Sequence, residues 1–553
     1  MSFRRAFVVA VALSASSLPT VLGADVQNAH LKLPRTARAN QAKVVKIFTD
    51  AYQTYRRVAF GHDDLQPVSL TFNDGRNGWG ATIVDSMSTM AIMGLDDLFN
   101  EALAFSSKID FSQSKVDESV SVFETTIRYL GGLLSAYQLS GSKHQVLVDK
   151  AKQVGDKMAF AWVGNNSIPF GELNFTTNTP FIQTSNIAEA GTITLEWSML
   201  SKLTGNDTYR QLAEKSVRQI ASLTDPLPGL AAQGIDPSTG QFVGGYVTWG
   251  GGSDSYFEYL IKYPRLTLTD DPIFVSTWKA AVDSSIRSLA RRSTVGNHLY
   301  LADFDDSGMI RNIGSHLECF HGGNWLLGGQ LLNNQTIVDF ALELVDACWN
   351  TYQSTATGIG PEVFAYISSN DLNGTFTGGD PPSVTDLAFY EQHGFYIFNG
   401  GSDYILRPEV LESNFYAWRV SGDVKYQQRA AQAIDSINTF LAVNGAFAGI
   451  DDVNSINSTK IDDTESFFFA EVLKYLYLTF DDPNHISLDH YVFNTEAHPF
   501  IAPPTPASFG GGTTTKPSPP GRPFHAVPGP LPAVSPNSFL PKQIVPLVHG
   551  TPL

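Results

Sequence analysis

The chain carries a repeat that constrains its architecture before any single residue is considered. Leu139-Ser140-Gly141-Ser142, Leu203-Thr204-Gly205-Asn206 and Val420-Ser421-Gly422-Asp423 each follow one amphipathic run and precede another. Glycine supplies the left-handed residue that ends a helix, and the next Ser, Asn or Asp can cap the following one. Each stretch therefore marks the turn of a helical hairpin. Looser junctions fall near Gly94, Asp271, Gly328-Gly329 and Asp481. At Asp271 and Asp481 the pattern is Asp-Asp-Pro, with the proline suited to a first helical position. The seven junctions are mostly 47 to 66 residues apart, and the one interval of 93 can hold an insertion containing Pro381-Pro382. Unequal repeats with polar residues at one helix end favour closure over an open solenoid, and no alternating βα units are visible. The expected fold is all-α: an (α/α)7 barrel, closed as a toroid, with minor β-hairpin and loop content.

The acidic residues fall in phase with these junctions. Glu124 lies 17 residues before Gly141, Glu189 16 before Gly205, Asp254 17 before Asp271 and Glu409 13 before Gly422, with His316 13 before Gly329. If the first helix of each hairpin lines the barrel, all five side chains reach one mouth. A single Glu at such a place is explained by the helix macrodipole; five in phase are not. Converging carboxylates are the minimum apparatus of glycoside hydrolysis, one protonated to release the leaving oxygen and one ionised to act on water or carbon. Arg128, one turn after Glu124, and Arg407, two before Glu409, can orient them.

The chain ends and the composition set the context. Arg4-Arg5, an apolar run from Ala6 to about Leu18 and the small residues before Ala24 read as a signal peptide over residues 1–23, too short to span a bilayer comfortably. Residues 35–500 are expected to form a single catalytic domain. Residues 501–553 hold 14 of the 30 prolines and a triple glycine, and read as a disordered tail. Cys319 and Cys348 are the only cysteines; in an oxidising compartment such a pair reads as one disulfide, with two buried thiols as the alternative. Asn165, Asn174, Asn206, Asn334, Asn373 and Asn457 stand in glycosylation triplets. A net charge of −17 disfavours nucleic acid and anionic membrane surfaces. No segment after the leader has eighteen uninterrupted apolar residues, so no membrane span is expected, and secretion is favoured over retention in a secretory organelle.

Several blocks then resemble one family. They include Phe123-Glu124-Thr125-Thr126-Ile127-Arg128, Asp254-Ser255-Tyr256-Phe257-Glu258-Tyr259-Leu260, His316-Leu317-Glu318-Cys319-Phe320 and Gly358-Ile359-Gly360-Pro361-Glu362. Leu406-Arg407-Pro408-Glu409, Ser466-Phe467-Phe468-Phe469-Ala470-Glu471 and Phe493-Asn494-Thr495-Glu496-Ala497-His498-Pro499 follow in the same order. Together they resemble the class I α-mannosidases of glycoside hydrolase family 47. The resemblance implies exo-acting removal of terminal α-1,2-linked mannose from high-mannose N-glycans, with inversion and one Ca2+. It implies Glu124 as general acid, Glu409 as general base and Asp254 as the third catalytic carboxylate. Arg128, Glu189, His316, Glu362, Arg407, Glu412, Phe467 and Glu471 would bind substrate, Phe467 by stacking on the terminal mannose. Thr495 would ligate Ca2+ directly, with Glu471 and Glu496 holding its waters, joined by Glu362 and Glu412. Cys319 and Cys348 match the family's bridge. Many members carry a second acidic residue where Ser88 stands, beside the retained Asp85. The rival reading is a mannose-binding quality-control protein with weak catalysis on the same fold. A monomer acting on oligosaccharide or glycoprotein is expected.

Overall fold

The computed structural model describes residues 25–116, 119–371, 375–506 and 509, with the backbone of 535–536. The expected leader, Asn373 and almost all of the proline-rich tail lie outside the described residues. Packed structure reaches past the expected domain limits at both ends. The backbone N–H groups of Val26 and Gln27 donate to Asp489, and Arg265 donates to the carbonyl of Pro503.

Seven inner helices form a closed ring. They are Ala81–Met93, the run 122–139, Thr194–Thr204 with the short turn Ile187–Gly191 before it, Asp254–Thr267, the run 317–331, Glu409–Ser421 and the run 468–480. Each packs on the next, and the last returns to the first. The inner helices are buried on every side: in Ala81–Met93 all residues but Ala91 are sequestered. The outer helices are amphipathic instead, as Thr208–Ala221 shows with its buried stripe of Tyr209, Leu212, Ala213, Val217 and Ile220. A helix apolar all round belongs in the interior and one with a single stripe belongs on the outside, so the two-layered (α/α)7 barrel follows from the pattern. Gly205 and Gly422 end their inner helices at φ +70° and +73°, and Asp271 and Asp423 cap the outer helices that follow.

Two expected junctions need correction. Gly328 and Gly329 are not a turn but lie inside His321–Leu331. A Cβ on Gly328 would stand 2.2 Å from the Trp278 ring and one on Gly329 2.8 Å from Val338, so these glycines permit close helix approach. The turn comes at 332–334, where Asn334 accepts from the N–H of Ile337. Asp481-Asp482-Pro483 opens no helix either. The outer place beside the run 468–480 is already taken by the first helix, Ala37–Val58, through Phe48 edge-on to Phe469 at 5.3 Å. The first helix therefore closes the seventh hairpin, and the chain after Pro483 is free to do something else.

It enters the barrel. Tyr491–Phe493 pairs antiparallel with Pro499–Ile501, and the tip between them reaches the axis. Asn494 donates to the Ile127 carbonyl and to Glu196, while its own oxygen accepts from the N–H groups of Glu496 and His498. The N–H of Thr495 donates to the Tyr259 hydroxyl at 3.2 Å, Lys474 donates to the Ala497 carbonyl, and His498 meets Ser88 and Asp85. One five-residue tip thus touches five of the seven inner helices and closes the barrel floor. The other sheets are short ribbons of two to four strands, none of them closed. Cys319 and Cys348 are joined with a Cα–Cα distance of 5.9 Å, tying the turn after His316 to the outer helix Gln335–Gln353.

Candidate active site

The plugged barrel leaves a pocket of about 240 Å³ at the opposite mouth. Glu124, Arg128, Glu189, Asp254, Arg407, Glu409, Glu412, Phe467, Glu471, Thr495 and Glu496 all line it. Glu124, Glu189, Asp254 and Glu409 each sit in the first turn of an inner helical segment, where the N-terminal end of the macrodipole favours a carboxylate. His316 and Glu362 do not line the pocket but stand behind it. His316 Nδ1 donates to Glu409 at 2.6 Å, and its Nε2 lies 2.7 Å from the Tyr352 hydroxyl. Glu362 accepts from Arg407 Nε.

Local backbone departures coincide with these residues. The inner helix widens to a π-turn over Thr125–Leu130, which carries Arg128, and another does so over Phe468–Val472, which carries Glu471. Such single-turn insertions re-aim side chains without ending a helix. Leu406 (φ +71°) and Ala497 (φ +55°) adopt the left-handed region that L-residues avoid, flanking Arg407 and the Thr495 tip.

The three candidate catalytic carboxylates have unlike surroundings. Burial acts to raise Glu124, but the guanidiniums of Arg128, at 2.7 Å, and Arg76, at 3.5 Å, outweigh it and hold the carboxyl below its ordinary value. Burial pushes Asp254 up to about 7, against hydrogen bonds from the N–H and hydroxyl of Ser255. Glu409 is also buried, yet the hydrogen bond from His316 and the charge of Arg407 lower it. Burial raises Glu189, which Ser185 and Asn186 hold in place by hydrogen bonds.

The floor is crowded with further acid. Burial and the charges of neighbouring carboxylates push Glu471 and Glu496 well above the usual range. No side-chain hydrogen bond reaches Glu471 among the described residues, whereas Glu496 accepts from Arg128. Thr495, at the hairpin tip, lines the same pocket as both. Oxygen donors and uncompensated negative charge suit a hard divalent cation. Among the described residues no three Asp, Glu, His or Cys side chains are grouped to hold a metal directly.

Several site residues lie outside the phase set by the hairpin junctions. Arg76 comes from a connection before the first inner helix and pairs with both Glu124 and Glu465. Glu258 lines the pocket one turn after Asp254, and the buried Lys262 pairs with it and lies 4.0 Å from Glu412. The spacing Asp254-x3-Glu258-x3-Lys262 could have revealed both, since i, i+4 positions share a helix face. Ser88 does not line the pocket; its hydroxyl meets His498 Nδ1 at 2.9 Å beneath the plug.

The chain is similar in sequence to known proteins and similar in fold to a solved one. Mannosyl-oligosaccharide alpha-1,2-mannosidase 1B of Aspergillus phoenicis is 39% identical over 486 residues, covering 84% of this chain and 92% of that protein. The probable mannosyl-oligosaccharide alpha-1,2-mannosidase 1B of Aspergillus clavatus is 40% identical over 489 residues, 84% of this chain and 93% of the other. The solved structure of alpha-1,2-mannosidase from Trichoderma reesei superposes with a TM-score of 0.80 at 36% identity, covering 84% of this chain and 99% of that one. The description Glycosyl hydrolase family 47 matches residues 47–502, from the first outer helix through the plugging hairpin, and the chain belongs to that family of glycoside hydrolases.

Proposed function

We propose that this glycoside hydrolase removes terminal α-1,2-linked mannose from high-mannose N-glycans, one residue at a time from the non-reducing end and with inversion. The observation that carries the reading is the floor. The Asn494–His498 tip blocks the barrel, so a chain can enter only end first. A blind pocket lined by several carboxylates supports exo action on a terminal sugar.

The unlike surroundings of the carboxylates support a division of roles. Asp254, kept neutral by burial near pH 6, donates its proton to the glycosidic oxygen. Glu409, ionised and oriented by His316, takes a proton from the attacking water. Glu124, held ionised between Arg128 and Arg76, orients the sugar and offsets developing positive charge rather than serving as the acid. This assignment moves the proton from the expected Glu124 to Asp254. Phe467, over which Arg128 lies at 5.4 Å, offers an apolar face to the sugar ring.

The floor residues fit Ca2+: Thr495 as the direct protein ligand, with Glu471, Glu496 and Glu412 holding water around it. Bound there, the ion would bind sugar hydroxyls and offset the carboxylate charge. The disulfide, and the exposure of Asn165, Asn206, Asn334 and Asn457, support passage through the secretory pathway. No described helix is long and apolar enough to cross a membrane.

The purified protein and a nine-mannose N-glycan test this reading by proton NMR. Free mannose should appear first as the β anomer. Binding without any release would replace the enzyme with a mannose-binding lectin, and initial α-mannose would mean retention.

A further inference from the structure

The plug tip is gripped by a carboxyl that takes no part in the catalysis proposed above. Glu196 stands in the first turn of the inner helix Thr194–Thr204, wholly buried, and does not line the pocket. Its Oε1 accepts from the Tyr259 hydroxyl at 2.5 Å and from Asn494 Nδ2 at 2.8 Å. Its Oε2 is buried with no hydrogen-bond partner among the described residues. The Tyr259 hydroxyl in turn accepts from the N–H of Thr495 at 3.2 Å. Asn494 is fixed at its other atom too: Oδ1 accepts the N–H groups of Glu496 at 3.0 Å and His498 at 2.7 Å. One carboxyl oxygen therefore reaches Thr495 by two routes, through the tyrosine to its N–H and through the asparagine to the turn that carries it.

Such an arrangement suits positioning better than packing. A buried carboxyl with one oxygen unpartnered costs stability, and an apolar side chain of similar size would fill the space without that cost. What an apolar side chain cannot do is hold two donors. The other grips on the tip act further along it: Lys474 donates to the Ala497 carbonyl, and Ser88 and Asp85 meet His498. A group that orients a metal ligand without touching the ion sets how tightly the ion is held. We propose that Glu196 is a positioning residue for the cation site, fixing the direct ligand Thr495 through Tyr259 and Asn494.

The proposal rests on the Ca2+ reading, and its test keeps the two apart. Calorimetry gives the Kd for Ca2+ of the metal-free parent, Glu196→Ala, Glu196→Gln and Tyr259→Phe, and urea unfolding without metal records the stability of each. A parent that binds no Ca2+ ends the Ca2+ reading, and this proposal with it. Where the parent binds, Glu196→Ala should weaken the affinity about 10- to 100-fold, the effect of losing a group that orients a ligand. Tyr259→Phe cuts one of the two routes and should weaken it about 3- to 10-fold, the worth of one hydrogen bond. Glu196→Gln keeps an oxygen for both donors and should bind nearly as tightly as the parent. Parental affinity in Glu196→Ala, with only the metal-free stability reduced, would make the carboxyl a packing group and overturn the proposal. If that variant does not fold, Tyr259→Phe decides, parental affinity there overturning the role and a loss supporting it. Glu196→Gln as weak as Glu196→Ala would also overturn it, since the carboxyl would then act by its charge rather than by holding two donors.

Discussion

Replacing Asp254 by Asn removes a proton donor while preserving shape, and the structure sets the size of the effect. Burial pushes its carboxyl up to about 7, from an ordinary value of 3.8. At pH 6 most of the molecules therefore carry the proton, where an unperturbed aspartate would be almost wholly ionised. Losing general-acid assistance to a sugar leaving group costs roughly 100- to 10,000-fold in kcat. The assay is kcat on α-1,2-mannobiose and on dinitrophenyl α-mannoside, whose leaving group needs no proton. Asp254→Asn should lose turnover on the first and regain most of it on the second. The parent's kcat/KM should fall as pH rises through about 7, when Asp254 loses its proton, and that limb should vanish in the variant. It should also fall at acid pH, as Glu409 protonates below its ordinary range. Because the folded value of Asp254 lies above the unfolded one, its contribution to stability is full below about 3.8 and is lost as pH rises through about 7. In urea at pH 8, Asp254→Asn should therefore be at least as stable as the parent. Rescue by the activated substrate in Glu124→Gln instead of Asp254→Asn would refute the reasoning.

Other perturbations separate the remaining roles. Glu409→Gln should lower kcat about 100-fold or more on both substrates, with no leaving-group rescue, while calorimetry shows a mannose mimic still binding. Chelation of Ca2+ should suppress activity and lower the melting temperature together, because an ion bound only to the native state stabilises it; metal-free protein unchanged in both would remove the ion from the account. Lys262→Met strands Glu258 and Glu412 without their buried cation, and urea unfolding should report a loss of about 3–5 kcal/mol. Replacing Cys319 and Cys348 by Ala opens a loop with a sequence separation of 29 residues, which the chain-entropy account values at about 3–4 kcal/mol in the same measurement.

What the sequence makes legible is whatever local chemistry repeats. The left-handed Gly205 and Gly422 and the Asp caps mark turns because a hairpin needs them wherever it occurs. The acidic phase is legible for the same reason: Glu124, Glu189, Asp254 and Glu409 each stand in the first turn of an inner helical segment. Gly328-Gly329 misleads because glycine serves two purposes, and only the presence of Trp278 across the interface distinguishes close packing from a turn. Asp481-Asp482-Pro483 misleads because the partner of the last inner helix lies more than 400 residues earlier, at Ala37–Val58, a pairing that no local pattern records. Arg76 lay beyond reach for a related reason: it comes from a connection, not from a helix, and meets Glu124 and Glu465 only in the folded chain.

The helical frame alone cannot divide the catalytic labour, because it places Glu124, Asp254 and Glu409 alike, each in the first turn of an inner helix. The difference comes from what each neighbouring segment contributes. A connection brings Arg76 and a π-turn swings Arg128 onto Glu124, so that carboxyl stays charged. A strained Leu406 presents Arg407, and His316 arrives from the preceding hairpin, so Glu409 is charged and aimed. Asp254 receives only the dipoles of Ser255, too little to offset its burial. Repetition therefore supplies convergence and irregularity supplies chemistry: the asymmetry that makes one carboxyl an acid and another a base lies in the parts of the chain that break the repeat.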